Sequence, residues 1–140
     1  MNYSYKKNKL QEFGKKYTEA WCSQKLESVA EFFAVDGSLK VNNNEPAAGR
    51  NAVTKVAESF MTAFPDMVIS MDELITTDED TEYHWTLTGT NTGLKGTGKS
   101  VRVSGFELWQ FNDEELIGNS IGTFDTDEYN RLLKFVVNNH

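Results

Sequence analysis

The sequence predicts an α+β domain: three N-terminal helices packed on a strongly curved antiparallel sheet, forming a cone with an apolar pocket, then a short C-terminal helix. Two observations carry this. The spacing of apolar residues changes at Pro65, from the 3.6-residue period of helices to the 2-residue period of strands. The connections after Pro65, "TTDED", "GLKGTG" and "NDEE", are short and acidic or glycine-rich, as consecutive antiparallel strands require. A sheet curved around its helices leaves an apolar cavity at the mouth of the cone.

The first helix carries Leu10, Phe13, Tyr17, Ala20 and Trp21 on one face. The second carries Leu26, Val29, Ala30 and Phe33, with Asp36–Gly37 ending it before a short strand, "SLKV". "VNNNEPAAGR" reads as a loop, and Asn51 as the cap of a third helix bearing Val53, Val56, Ala57, Phe60 and Phe64. Pro65 stops that helix because it lacks the N–H a further turn needs. Met67–Ile75, Thr81–Thr92, Ser100–Phe111 and Leu116–Phe124 alternate as four strands. Tyr129, Leu132, Leu133 and Val136 mark the closing helix. With no internal repeat or linker, the 140 residues form one domain, the first eight a flexible tail.

Composition narrows the function classes. A net charge of −7 argues against a nucleic-acid partner, which needs clustered cations. Lys6, Lys7, Lys9, Lys15 and Lys16 read as a solvated tail and helix face. Cys22 is the only cysteine, so no intramolecular disulfide forms, and a reducing compartment is expected. There is no apolar run of signal-peptide or membrane-spanning length. A cytoplasmic protein with no membrane partner is the expectation.

Several stretches carry a family likeness: "AGR" at Ala48–Arg50, "AFPD" at Ala63–Asp66, "HWTLTGTNTG" at His84–Gly93, "TGKSV" at Thr97–Val101, and the strand Gly105–Phe111. In this order and spacing, over about residues 13 to 125, the chain resembles the SnoaL-like polyketide cyclases of the nuclear-transport-factor-2-like superfamily. The resemblance implies the cone and leaves the activity open. Aldol cyclases, isomerases, dehydratases, epoxide hydrolases and plain binding proteins share that scaffold. It also implies an acid/base residue in the last strand, in a Trp-Asp pair followed by a second aspartate. Here Ile121 and Gly122 stand in the places of that pair, with Asp125 at the second aspartate.

Asp125 has Glu128 three residues on, at the start of the last helical stripe, which is capping-box spacing. A helix N-terminus lowers a carboxyl pKa, the wrong direction for a base working near neutral pH. Glu107 is the better candidate. It shares a strand face with Gly105, Trp109 and Phe111, among apolar neighbours that would raise its pKa. Asn119, sharing parity with Ile117 and Ile121, is expected inward as a hydrogen-bond donor to a developing oxyanion, with Tyr17 the alternative donor. Tyr17, Trp21, Phe60, Phe64, Met71, Trp85, Trp109 and Ile121 are expected to bind the ligand, although helical-stripe aromatics also serve as core.

His84 should face away from Tyr83 and Trp85, in a structural or interface role. Two histidines and one cysteine do not readily assemble a metal site, and none is expected. "TGLKGTGK" lacks phosphate-loop spacing and joins two strands. No cofactor is expected. The partner expected is a small apolar, ring-containing molecule, together with a second copy of the chain on the outer sheet face, where Phe106 and Leu108 lie. Two readings stand: a cofactor-free cyclase or isomerase working through Glu107, or a non-catalytic binding or interaction module. An epoxide-hydrolase-like site would need two acids and an arginine in the cavity, with only Arg102 placed to try.

Overall fold

The structure, a computed structural model, describes residues 3–77, 80–92 and 96–124, with side chains from Lys7 onward. Its elements are α1 (Tyr3–Cys22), α2 (Leu26–Ala30), β1 (Phe33–Val41), β2 (Ala47–Ala48), α3 (Arg50–Ala63), β3 (Val68–Thr76), β4 (Thr81–Thr90), β5 (Ser100–Phe111) and β6 (Ile117–Phe124). The helices pack on a six-stranded sheet of order β2-β1-β6-β5-β4-β3. This is the α+β architecture anticipated above. The closing helix, with Tyr129, Leu132, Leu133 and Val136, lies outside the described residues.

The sheet is mixed, not wholly antiparallel. β3 through β6 form the expected meander, but β1 pairs with β6 in parallel. The sequence hides this because the partners are far apart, and a parallel pair needs a long crossover in place of a turn signal. Here β2, α3 and three strands intervene.

Local boundaries also shift, for physical reasons. α2 ends at Ala30, and Phe33 opens β1 instead of closing the helix. Asp36–Gly37 lies inside β1, at an irregularity between Phe33 and Ser38. Gly37 is there for proximity: a Cβ would come within 2.6 Å of the Ile117 carbonyl oxygen. The third helix is entered through Gly49 (φ 90°), which leaves no capping role for Asn51. α1 begins at Tyr3, so most of the expected tail is helical.

The core lies between the helices and the concave side of the sheet. Tyr17, Val29, Phe33, Val53, Phe64, Tyr83, Trp109 and Ile117 are fully buried within it. Tyr83 stacks on Trp109 at 4.8 Å, and Tyr17 meets both rings edge-on. Each large aromatic removes ~200 Å² from water, ~5 kcal/mol of hydrophobic stabilisation before entropy. No helix among the described residues is long and apolar enough to cross a membrane.

Candidate functional site

A small cavity opens where α1 and α3 cover the sheet. Trp21 contributes from the last turn of α1, and Val56 and Phe60 from α3. Tyr83, Trp85 and Leu87 come from β4, Glu107 from β5, and Gly122 and Phe124 from β6. Its volume is ≈ 60 Å³, about two water molecules' share of liquid. Among the described residues, Glu107 is the sole carboxyl group in this apolar wall.

β5 puts Glu107 there by plain alternation. Val101, Val103, Glu107 and Trp109 are buried on the concave side, while Arg102, Ser104 and Gln110 are exposed on the other. Three donors converge on the carboxylate. Trp109 Nε1–H donates to Oε1 at 2.9 Å and Ser120 Oγ–H to the same oxygen at 2.8 Å. The Tyr17 hydroxyl lies 2.9 Å from Oε1 and 3.1 Å from Oε2. Oε1 is thus crowded with donors, whereas Oε2 has only a share of the Tyr17 hydroxyl.

Burial pushes the Glu107 carboxyl above its ordinary value, and the hydrogen bonds from Trp109, Ser120 and Tyr17 oppose that rise. Burial, then the Glu107 charge, also lifts the Tyr17 phenol well above its usual range. Tyr83 moves in the same direction through burial. Both phenols therefore remain donors across the physiological range, and the carboxyl is the group able to exchange a proton.

The predicted residues separate into four groups. Glu107, Trp21, Phe60 and Trp85 line the cavity. Tyr17, Phe64 and Trp109 are wholly buried, Tyr17 and Trp109 holding Glu107 from behind. Met71 packs beside Gly14 of α1. The expected ligand contacts Tyr17, Phe64, Met71, Trp109 and Ile121 and the expected donor Asn119 are the corrections: none is among the described residues that line the cavity, and Ile121 is 38% exposed. Between Gln110 and Phe111 the ladder skips a residue, so Gly118 is an extra residue in β6. Such a bulge reverses the parity of everything beyond it. Asn119 turns away to meet Ser38 at 3.0 Å, and Ser120, Gly122 and Phe124 turn inward.

Ser120 and Tyr83 were missed. Tyr83 could have been found from the parity it shares with Trp85; Ser120 could be found only by reading Gly118 as a bulge. His84 takes the convex face, stacked on Phe106 and 3.0 Å from Glu82. Arg102 is exposed on the side away from the cavity, so the acid–acid–arginine arrangement has no arginine among the described lining residues. Asp125 lies outside the described residues. Among the described residues no group of three or more His, Cys, Asp or Glu could hold a metal ion.

Gly122 pairs directly across from Glu107 in the β5–β6 ladder. The place where the resemblance implies an acid thus adjoins the carboxylate that is present. A Cβ at Gly122 would lie 3.7 Å from Glu107 Cγ, so the two positions face the same space.

Comparison with solved structures shows the same fold at low identity. A protein with a ketosteroid isomerase-like fold from Catenulispora acidiphila, solved with trimethylamine, matches with TM-score 0.76 and 12% identity, over 88% of this chain and 92% of that one. SalBIII, an epoxide hydrolase/cyclase-like enzyme in pyran ring formation in the polyether salinomycin, matches with TM-score 0.75 and 15% identity, over 87% and 95%. A SnoaL-like polyketide cyclase homologue from a Jannaschia species matches with TM-score 0.73 and 15% identity, over 84% and 85%. No curated protein matches the sequence. The model of the SnoaL-like polyketide cyclases matches residues 11–126, and the chain belongs to that family.

Proposed function

We propose that the protein binds a small, largely apolar, ring-containing molecule in the cavity and moves a proton on it without a cofactor, with Glu107 as the acid/base group. One observation carries this reading: a buried carboxylate faces an apolar cavity with one oxygen crowded by donors and the other nearly free. Donors on Oε1 fix the group's orientation, and burial brings its pKa toward the working range of a general base. Oε2 takes a proton from a carbon beside a carbonyl. The C–H electron pair becomes a C–C double bond as the carbonyl pair moves onto oxygen. Where that carbon also adjoins a C=C bond, the resulting dienolate takes the proton back at its far carbon, the C=O re-forms, the double bond moves into conjugation with it, and an isomerisation is complete. If the enolate carbon instead attacks a second carbonyl, Glu107 protonates the new alkoxide and an aldol ring closure is complete. A cavity for a benzene-sized ring is on the order of 150 Å³, so binding displaces a wall residue, and Phe60, Trp85 and Phe124 are the half-buried aromatics among the described lining residues.

A second reading uses the same hydrogen bonds. Glu107 would be a satisfied polar tie in the core, and the cavity would only bind. Acetophenone in D₂O separates the two readings, because its methyl carbon exchanges through an enolate. Catalysis predicts deuterium incorporation roughly 10²-fold faster with wild-type protein than with Glu107→Gln. Equal rates at saturating acetophenone, with binding retained, favour the binding module.

A second copy of the chain is the partner proposed for the convex face, where Leu108 pairs with exposed Ile121 beside Phe106. Sedimentation at micromolar concentration should give a dimer mass; a monomer mass rejects this contact.

A further inference from the structure

The indole nitrogen of Trp21 is the one buried side-chain nitrogen or oxygen among the described residues with no hydrogen-bond partner. The residue is 8% exposed and lines the cavity beside Glu107. Its N–H is near enough to the Tyr17 hydroxyl to hold that phenol's pKa down, yet it falls short of full hydrogen-bond geometry with any atom of the described residues. Phe60 meets the ring edge-on at 6.1 Å. A buried N–H left without an acceptor is costly, and native proteins rarely keep one. Trp109 shows the contrast, since its indole is fully buried and its N–H is satisfied by Glu107.

We propose that the Trp21 N–H is the docking point for a carbonyl oxygen of the ligand, so that this site takes ring-bearing ketones in preference to hydrocarbons of the same shape. This deepens the reading of the cavity given above and rests on it. The placement is economical. A carbonyl oxygen bound by Trp21 holds the ketone in the same cavity as Glu107, whose Oε2 carries only a share of the Tyr17 hydroxyl. The donor role expected of Asn119 thereby passes to a residue that lines the cavity.

The test compares acetophenone with α-methylstyrene, which replaces C=O by C=CH₂ and keeps the ring and outline. Wild-type protein should bind acetophenone about tenfold more tightly, the effect of one hydrogen bond to a buried donor. In Trp21→Phe that preference should fall to near unity. A second readout needs no folded variant: the Trp21 indole N–H resonance of ¹⁵N-labelled wild-type protein should move downfield with acetophenone and stay in place with α-methylstyrene. Equal affinities for both compounds, with an unmoved indole signal, overturn the inference and leave the binding reading intact. Failure of both compounds to bind overturns the inference and the binding reading together.

Discussion

The Tyr17 hydroxyl and the Glu107 carboxylate, 90 residues apart in the chain, meet in the core at 2.9 and 3.1 Å. The contact ties the C-terminal half of α1 to β5 and orients the only carboxylate among the described residues of the cavity wall. Tyr17→Phe removes a donor that favours the ionised form, so the Glu107 pKa should rise further. At pH 7 the variant should lose about 1–3 kcal/mol of stability, the usual cost of a hydrogen bond to a charged group. Urea denaturation and a carboxyl titration check the two parts separately.

Glu107 also gives stability a pH dependence of unusual sign for a carboxylate. Its folded pKa lies above the ordinary 4.5, so between the unfolded and folded values the native state holds a proton that the unfolded chain has released. Its contribution is complete below the unfolded pKa and is lost as pH rises through the folded one. Each unit of elevation corresponds to about 1.4 kcal/mol. Asp66 acts oppositely: the Thr90 N–H lowers its pKa, and its contribution is lost on acidification. Comparing variants isolates Glu107. As pH rises above 4.5, the Tm of wild-type protein should fall relative to that of Glu107→Gln; parallel curves would contradict the shift.

The bulge at Gly118 makes a prediction that strict alternation reverses. Ser120→Ala should cost about 1 kcal/mol and raise the Glu107 pKa, because it deletes a buried donor. Asn119→Ala, on the other face, should leave that pKa unchanged. Titration of both variants decides which parity is correct.

Two β-sheet glycines should respond very differently to a methyl group. A Cβ at Gly105 would sit 2.3 Å from the Thr123 carbonyl oxygen and 2.8 Å from Trp85 and Phe124 side-chain carbons. Gly105→Ala must displace backbone and should cost about 3 kcal/mol or more. At Gly122 the nearest atoms are 3.6 and 3.7 Å away, ordinary contact, and Gly122→Ala should stay within about 1 kcal/mol of wild type while narrowing the cavity. Thermal denaturation of the pair checks this.

What the sequence made legible follows from which features are local. The face of Glu107 was readable because β5 keeps its period over twelve residues. The change of period at Pro65 separated the helices from the meander, and the α1 stripe pointed Tyr17 and Trp21 inward. What failed was non-local or irregular. Nothing near β1 announces β6 as its parallel neighbour. Asp36–Gly37 has the composition of a turn, yet serves as a close-packed irregularity within a strand. One residue in β6, Gly118, exchanged Asn119 for Ser120 at the carboxylate, because parity has no memory beyond a bulge.

The central claim is that Glu107 is a cavity carboxylate poised to exchange a proton. The most direct measurement is a ¹³C NMR titration of its side-chain carboxyl, assigned by its loss in Glu107→Gln, with and without acetophenone. The account predicts a midpoint above 4.5 in the free protein and a further rise when the ligand fills the cavity and excludes water. A midpoint at or below 4.5, unmoved by the ligand, would contradict it.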